Sequence, residues 1–291
     1  MSAPQPQRSV TVIGAGTMGV GIAYVFAAAR WTTYVVEPND ERVVAAQESI
    51  RKAAKNGYDR GRLNEEDLDR LNTDITFVKA PIEVPLGMDL VIETVPEQLE
   101  LKREVLRAAE ALEPAILASN TSSLSIDELA IGLAQPDRFI GMHFFNPVWS
   151  FSLVELVRGS ATDDASMSAA LEVVESIGKQ AAVVKDSPGF ATSRLDLIAA
   201  LEAIRMVEQG VGSPEDIDRA IQLAYRHPVG PLKLSDIVGL DVRLDIARRL
   251  SESLGERFSP PQLLIDMVKQ GTLGEKTGQG FYSWPNRVDE A

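Results

Sequence analysis

From Ser9 to about Lys185 the chain alternates short apolar runs with longer polar stretches in which apolar residues recur at helical spacing. The runs predict strands over 10–13, 33–36, 75–78, 90–93, 116–119, 139–144, 153–157 and 181–185. Helices are predicted between them, among others over 20–29, 40–56 and 99–112, the last opening after Pro96 and closing near Pro114. That rhythm belongs to βαβ units and a mainly parallel sheet, an α/β architecture. After the breaker Asp186-Ser187-Pro188-Gly189 the pattern turns helical, with one long helix over 190–209 and a capped start at Ser213-Pro214-Glu215. Two domains are expected, residues 1–187 as an α/β domain and 188–291 as an all-helical one of ordinary domain size.

Composition narrows the partners. A length of 291 residues suits two domains, and 45% hydrophobic with 24% charged residues is the balance of a folded globular chain. The net charge of −13 argues against a nucleic-acid partner, because duplex binding requires clustered Lys and Arg. With no cysteine, disulfides, thiolate metal sites and a cysteine nucleophile are excluded, and no metal is expected. The polar first nine residues and the absence of a long apolar run give no expectation of export or of membrane insertion. A cytoplasmic location follows as the expectation.

The chemistry begins at Gly14-Ala15-Gly16-Thr17-Met18-Gly19, which follows the first predicted strand and opens a helix rich in small residues. Here one glycine permits the tight turn, the next lets backbone approach a pyrophosphate, and the third lets helix and strand pack closely. The second strand ends in Glu37, the acid expected about 20 residues beyond the glycines to bind an adenosine ribose. A carboxylate there would repel a 2′-phosphate, so NAD is preferred over NADP, with FAD the nearer competitor. This half therefore reads as a Rossmann-type dinucleotide-binding domain.

A dehydrogenase without zinc needs a base to take a hydroxyl proton, and histidine suits that task near neutral pH. The chain has two, His143 and His227. His143 lies at the carboxyl end of a predicted strand, where open α/β sheets bind ligands, whereas His227 precedes Pro228 in the helical half. Glu155 follows inside the apolar run Leu153-Val154-Glu155-Leu156-Val157, where a lone carboxylate is costly to bury unless paired. If the two strands are neighbours, Glu155 reaches the imidazole and orients it. The alternatives are a core histidine with satisfied hydrogen bonds and an outward-facing acid on an edge strand.

Asn120-Thr121-Ser122-Ser123, the stretch from Gly141 to Pro147, the Glu155 run, Lys185-Asp186-Ser187-Pro188-Gly189-Phe190, Pro228-Val229-Gly230-Pro231 and the stretch from Gly274 to Tyr282 closely resemble the L-3-hydroxyacyl-CoA and 3-hydroxybutyryl-CoA dehydrogenases. The similarity runs in order along nearly the whole chain. It implies His143 as general base, Glu155 as its partner and Ser122 holding the reacting oxygen. It also places Glu97, Lys102, Asn146 and Lys276 near the nicotinamide, ribose or phosphates of NAD. Read without the resemblance, Lys102 and Lys276 are surface charges, Glu97 is a helix-start acid and Asn146 belongs to a turn.

The same resemblance implies an acyl-CoA substrate, a homodimer made through the helical domain and an active site in the cleft between the domains. CoA would be gripped partly by the helix and loop after the second strand, which offers Ser49, Arg51, Lys52 and Lys55. One position departs from the family: Ser193 stands where an asparagine usually contacts the reacting part of the substrate. Its hydroxyl is shorter and lacks the amide's second donor. Ser193, with the bulky Trp149 and Phe151 beside the catalytic strand, leaves open a free hydroxy acid as substrate, as in relatives acting on carnitine or gulonate. A non-catalytic NAD-binding protein is the alternative of another class.

Overall fold

A computed structural model describes residues 8–284. Two compact units divide the chain, the first ending at Phe190 and the second starting at Ala191.

Among its described residues the first unit holds eight strands: β1 Ser9–Ile13, β2 Thr32–Val36, β3 Ile75–Val78, β4 Leu90–Glu93, β5 Ile116–Ser119, β6 Phe139–Phe144, β7 Leu153–Arg158 and β8 Gln180–Lys185. They form one sheet in the order β3-β2-β1-β4-β5-β6-β7-β8. Every neighbouring pair is parallel except β6 with β7. Its helices are α1 Thr17–Ala28, α2 Asp40–Asp59, α3 Glu65–Thr73, α4 Leu99–Glu110, α5 Ile126–Ala130 and α6 Asp164–Ser176. All residues of β4, β5 and β6 are buried, as in strands covered on both faces. One apolar cluster joins Val10, Val12 and Met142 to Ile22 and Phe26 of α1 and Val173 of α6. A second joins Val91, Leu117 and Phe139 to Leu106 and Ala109 of α4 and Leu129 of α5. A wholly buried side chain such as Phe26 contributes about 1.5–3 kcal/mol relative to exposure.

The predicted strands are all present, and the helices differ at their ends for local reasons. α1 starts at Thr17, directly on the glycine turn, earlier than the predicted 20. α2 runs through Gly57 to Asp59, because a side chain there would crowd Leu63 and the Tyr24 hydroxyl and glycine leaves that room. α3 is an element the apolar pattern missed; its signal is the cap, with Asn64 accepting from the Asp67 N–H ahead of three acidic residues in the first turn.

The second unit is helical, with α7 Thr192–Glu208, α8 Pro214–Tyr225, α9 Pro231–Val238, α10 Leu240–Leu254 and α11 Gln262–Lys269. α7 begins two residues later than predicted because Gly189 and Phe190 have positive φ angles of 73° and 47°. Ser213 caps α8 by accepting from the Asp216 N–H. Leu197, Leu201, Ile204, Leu232, Leu244 and Phe258 make the core. Among the described residues no helix is long and apolar enough to cross a membrane.

Candidate active site

Strand order reverses between β1 and β4, and ligands of open parallel sheets bind beyond the carboxyl ends of the strands at such a point. The residues ending β1, β2, β4, β5 and β6 meet there. Gly14 leaves β1 at φ 105°, a conformation glycine adopts without strain. A Cβ on Gly19 would stand 1.9 Å from the Gly14 carbonyl oxygen, so α1 packs onto the turn only because the position is bare. At Gly16 the same construction meets nothing within 4 Å, leaving backbone open on the outer side of the turn.

Gly16 caps α1 without a side chain, and no acid sits in the first turn, so the helix N-terminus keeps its N–H groups and positive end for an anion. Glu37 is 4% exposed and accepts from the N–H groups of Ala15 (3.2 Å) and Asn39 (3.1 Å), which sets its carboxylate against the glycine turn. Bare turn, free helix terminus and buried acid fit an adenine dinucleotide. Thr17 opens α1 and is exposed.

Next to this turn lies a cavity of about 360 Å³ lined by Met18, Glu97, Lys102, Ser122, His143 and Asn146, with Thr94, Val95, Asn120, Phe144 and Phe145 completing the wall. His143 and Glu155 are direct partners in the antiparallel register of β6 and β7. Side chains so paired share a face of the sheet. Imidazole Nδ1 lies 3.1 Å from a carboxylate oxygen of Glu155, which is fully buried. With Nδ1 committed to Glu155, Nε2 is the nitrogen left to exchange a proton. Phe145 and Phe190 pack about the ring at 4.4 and 6.1 Å between centroids. Beyond β6, Asn146 is exposed and joined to Pro147 by a cis peptide bond.

Ser122 is exposed in the turn after β5, and Glu97 holds that turn. One Glu97 oxygen accepts from Thr121 Oγ1 at 2.6 Å, the Ser122 N–H at 3.1 Å, and the Ser123 N–H and Oγ at 3.0 Å. The other lies 3.3 Å from Lys102 Nζ. Burial pushes the Glu97 carboxyl up, but Lys102 and the donors from Thr121, Ser123 and Ser122 outweigh it and hold the group below the usual carboxylate range. Lys102 is 1% exposed, so the surface-charge reading of this residue is corrected: it lies on the buried face of α4 with Leu106 and Ala109. Its ammonium donates to both oxygens of Glu93 (2.8 and 3.0 Å) and to the Val95 carbonyl (3.0 Å).

Sequence reasoning passed over Glu93, Ser119 and Asn120. Glu93 ends β4 with no exposed surface and also accepts from Ser119 Oγ at 2.6 Å and the Val95 N–H at 2.5 Å. The available signal was a charged residue closing an apolar strand, with a lysine at the inward spacing of the next helix. Asn120 Oδ1 accepts from the Phe144 N–H at 2.8 Å and ties the ends of β5 and β6 together. Two expected site residues belong to the second unit. Ser193 stands half-buried in the first turn of α7, and Lys276 pairs with Asp241 at 2.5 and 2.6 Å. On α2, Arg51 and Lys55 are exposed and pair with Glu48 and Asp59 of the same helix.

Two family descriptions match in tandem: residues 9–187 match the 3-hydroxyacyl-CoA dehydrogenase NAD-binding domain, and residues 189–284 match the C-terminal domain of the same family. The 3-hydroxybutyryl-CoA dehydrogenase of Bradyrhizobium diazoefficiens is 41% identical over 280 residues, covering 95% of each chain. The mitochondrial hydroxyacyl-coenzyme A dehydrogenase of Sus scrofa is 36% identical over 286 residues, covering 95% of this chain and 91% of its own. Among solved structures, the (S)-3-hydroxybutyryl-CoA dehydrogenase PaaH1 of Ralstonia eutropha superposes with a TM-score of 0.91 at 36% identity, over 96% of this chain and all of that one. With a dinucleotide turn, a paired histidine and both family domains in order, the chain belongs to the 3-hydroxyacyl-CoA dehydrogenase family and is an NAD-dependent oxidoreductase.

Proposed function

We propose that His143 is the general base in the oxidation of an L-3-hydroxyacyl-CoA such as 3-hydroxybutyryl-CoA to the 3-oxoacyl-CoA, with Glu155 as its partner. The contact that carries the reading is His143 Nδ1 to Glu155 at 3.1 Å, with the ring on the wall of the cavity beside the glycine turn. Glu155 fixes the tautomer that leaves Nε2 unprotonated, and its charge stabilises the imidazolium formed when Nε2 takes the hydroxyl proton. Bound NAD supplies the acceptor for the hydride leaving C3. Ser122, exposed on the same wall, steadies the reacting oxygen by a hydrogen bond. In the reverse direction His143 returns the proton.

Gly14, Gly16, Thr17, Met18, Gly19 and Glu37 hold the adenosine and pyrophosphate side of NAD, while Glu97, Lys102, Asn146 and Lys276 serve its nicotinamide, ribose or phosphates. Ser193 gives the substrate one donor where an asparagine would give two. The names of the relatives support the thioester class. The working form is a cytoplasmic homodimer through the helical unit, where Leu223, Tyr225 and Val211 are exposed large apolar side chains that a partner would cover.

Activity on acetoacetyl-CoA and on 3-hydroxyacyl-CoA thioesters of graded length, followed through NADH absorbance, tests the reaction. Turnover of a thioester with His143-dependent rate is the expected result. No turnover of any acyl-CoA overturns it, and turnover of a free hydroxy acid instead assigns the other substrate class. Sedimentation of the full chain tests the dimer.

A further inference from the structure

Glu93 does not line the cavity, yet it is fully buried immediately behind Lys102, which does. Carrying this ion pair inside has a desolvation cost that apolar side chains of the same size would avoid. The Glu93 carboxylate accepts from Lys102 on both oxygens, from Ser119 Oγ on one and from the Val95 N–H on the other. Such a shell suits the ionised form. Burial raises this carboxyl above the usual carboxylate range, and Lys102, Ser119 and Val95 offset that only in part.

The pair alone would be neutral. Glu97 adds a second carboxylate to the same ammonium, at 3.3 Å against 2.8 Å for Glu93. Two carboxylates and one ammonium leave one net negative charge. Because Lys102 is held by Glu93 and the Val95 carbonyl, that charge is expressed mainly on Glu97, the member whose side chain is 32% exposed and faces the cavity.

We propose that Glu93 is a positioning residue that shares Lys102 with Glu97 and holds it the closer, so that one net negative charge remains at the cavity wall and biases binding toward the oxidised, cationic nicotinamide over the reduced, neutral ring. The proposal rests on reading this cavity as the nicotinamide site. The two cofactor forms differ by one positive charge and one hydrogen at C4, so a change in their affinity ratio on removing a remote carboxylate reads mainly the Coulomb interaction.

The test is Glu93→Gln in the full chain, with dissociation constants for NAD and NADH measured separately by calorimetry. Neutral glutamine keeps the size, but its amide offers one acceptor oxygen where the carboxylate offers two, so it cannot hold all the donors and releases Lys102 to Glu97. The ratio of the NAD constant to the NADH constant is expected to rise about fivefold, the effect of one partly screened charge at close range, and to return to the wild-type value in Glu93→Asp. Equal weakening of both cofactors, or no change in either, overturns the proposal. If Glu93→Gln does not fold, Glu97→Gln removes the same charge from the partly exposed member and must shift the ratio in the same direction, failing which the proposal falls. Wild-type protein that turns over a thioester while the variants keep the wild-type ratio defeats this proposal and leaves the reaction standing. Wild-type protein that binds neither cofactor defeats both.

Discussion

His143 and Glu155 stand opposite each other on the single antiparallel pair of the sheet, imidazole Nδ1 3.1 Å from the carboxylate, with the acid fully buried and the ring open to a cavity. The strand reversal is what brings them together, since residues twelve apart in the chain become direct cross-strand neighbours. His143→Gln keeps a side chain that can hydrogen-bond but removes the base. The turnover rate is expected to fall by about 10²–10⁴-fold, the usual contribution of a general base, while NAD affinity stays within a factor of two or so. Steady-state kinetics and cofactor titration on one preparation check both halves.

Glu155→Gln asks a different question, because glutamine can still accept from Nδ1 but cannot stabilise the imidazolium. Turnover should fall by up to about 10⁴-fold, as when the acid of a catalytic triad is made neutral. The fold should survive, since the amide has nearly the same shape. A variant that melts like the wild type yet loses turnover bears this out, and wild-type turnover refutes the pairing as a catalytic device.

Gly19→Ala should damage cofactor binding and stability together. The added methyl would lie 1.9 Å from the Gly14 carbonyl oxygen and 2.7 Å from Thr94 Oγ1, so α1 must move off the turn that holds its N-terminus in place. A loss of about 1–3 kcal/mol, the usual size for overpacking, and a rise of at least about tenfold in the NAD dissociation constant, or roughly 1.4 kcal/mol, are expected from thermal melts and titration.

Glu97 gives a pH signature. Its carboxyl is held below the usual range, against burial, by Lys102 and the Thr121–Ser123 turn. A group whose folded value is depressed adds stability above its unfolded value and loses it as pH falls through the folded value. Glu97→Gln should therefore lower the melting temperature at neutral pH, and the gap from wild type should close as pH drops through and below the ordinary carboxylate range. Melting curves from pH 7 to pH 3 measure this; a gap independent of pH would show that the turn is held without the charge.

Much of this site can be read from the chain because its signals are local. The turn from Gly14 to Gly19 and the acid Glu37 are spaced by one strand-helix-strand unit, and β1, β2 and α1 follow from periodicities of two and 3.6. Scarcity singled out His143, one of two histidines. Lys102 shows where local reading stops. Its spacing with Leu106 and Ala109 is that of the inward face, but its residue type argues for solvent, and only the end of β4 carrying Glu93 makes burial of its ammonium tolerable.

The sequence by itself determined the α/β and helical halves and the dinucleotide turn, and it singled out His143 as the candidate base, since each depends on residues close in the chain. Only the tertiary structure decided that Glu155 meets that imidazole, that Glu97 grips the Ser122 turn, and that Glu93, Lys102 and Ser119 form one buried cluster. Those contacts join the ends of different strands across the sheet, and the order of strands leaves no periodic mark on any single segment.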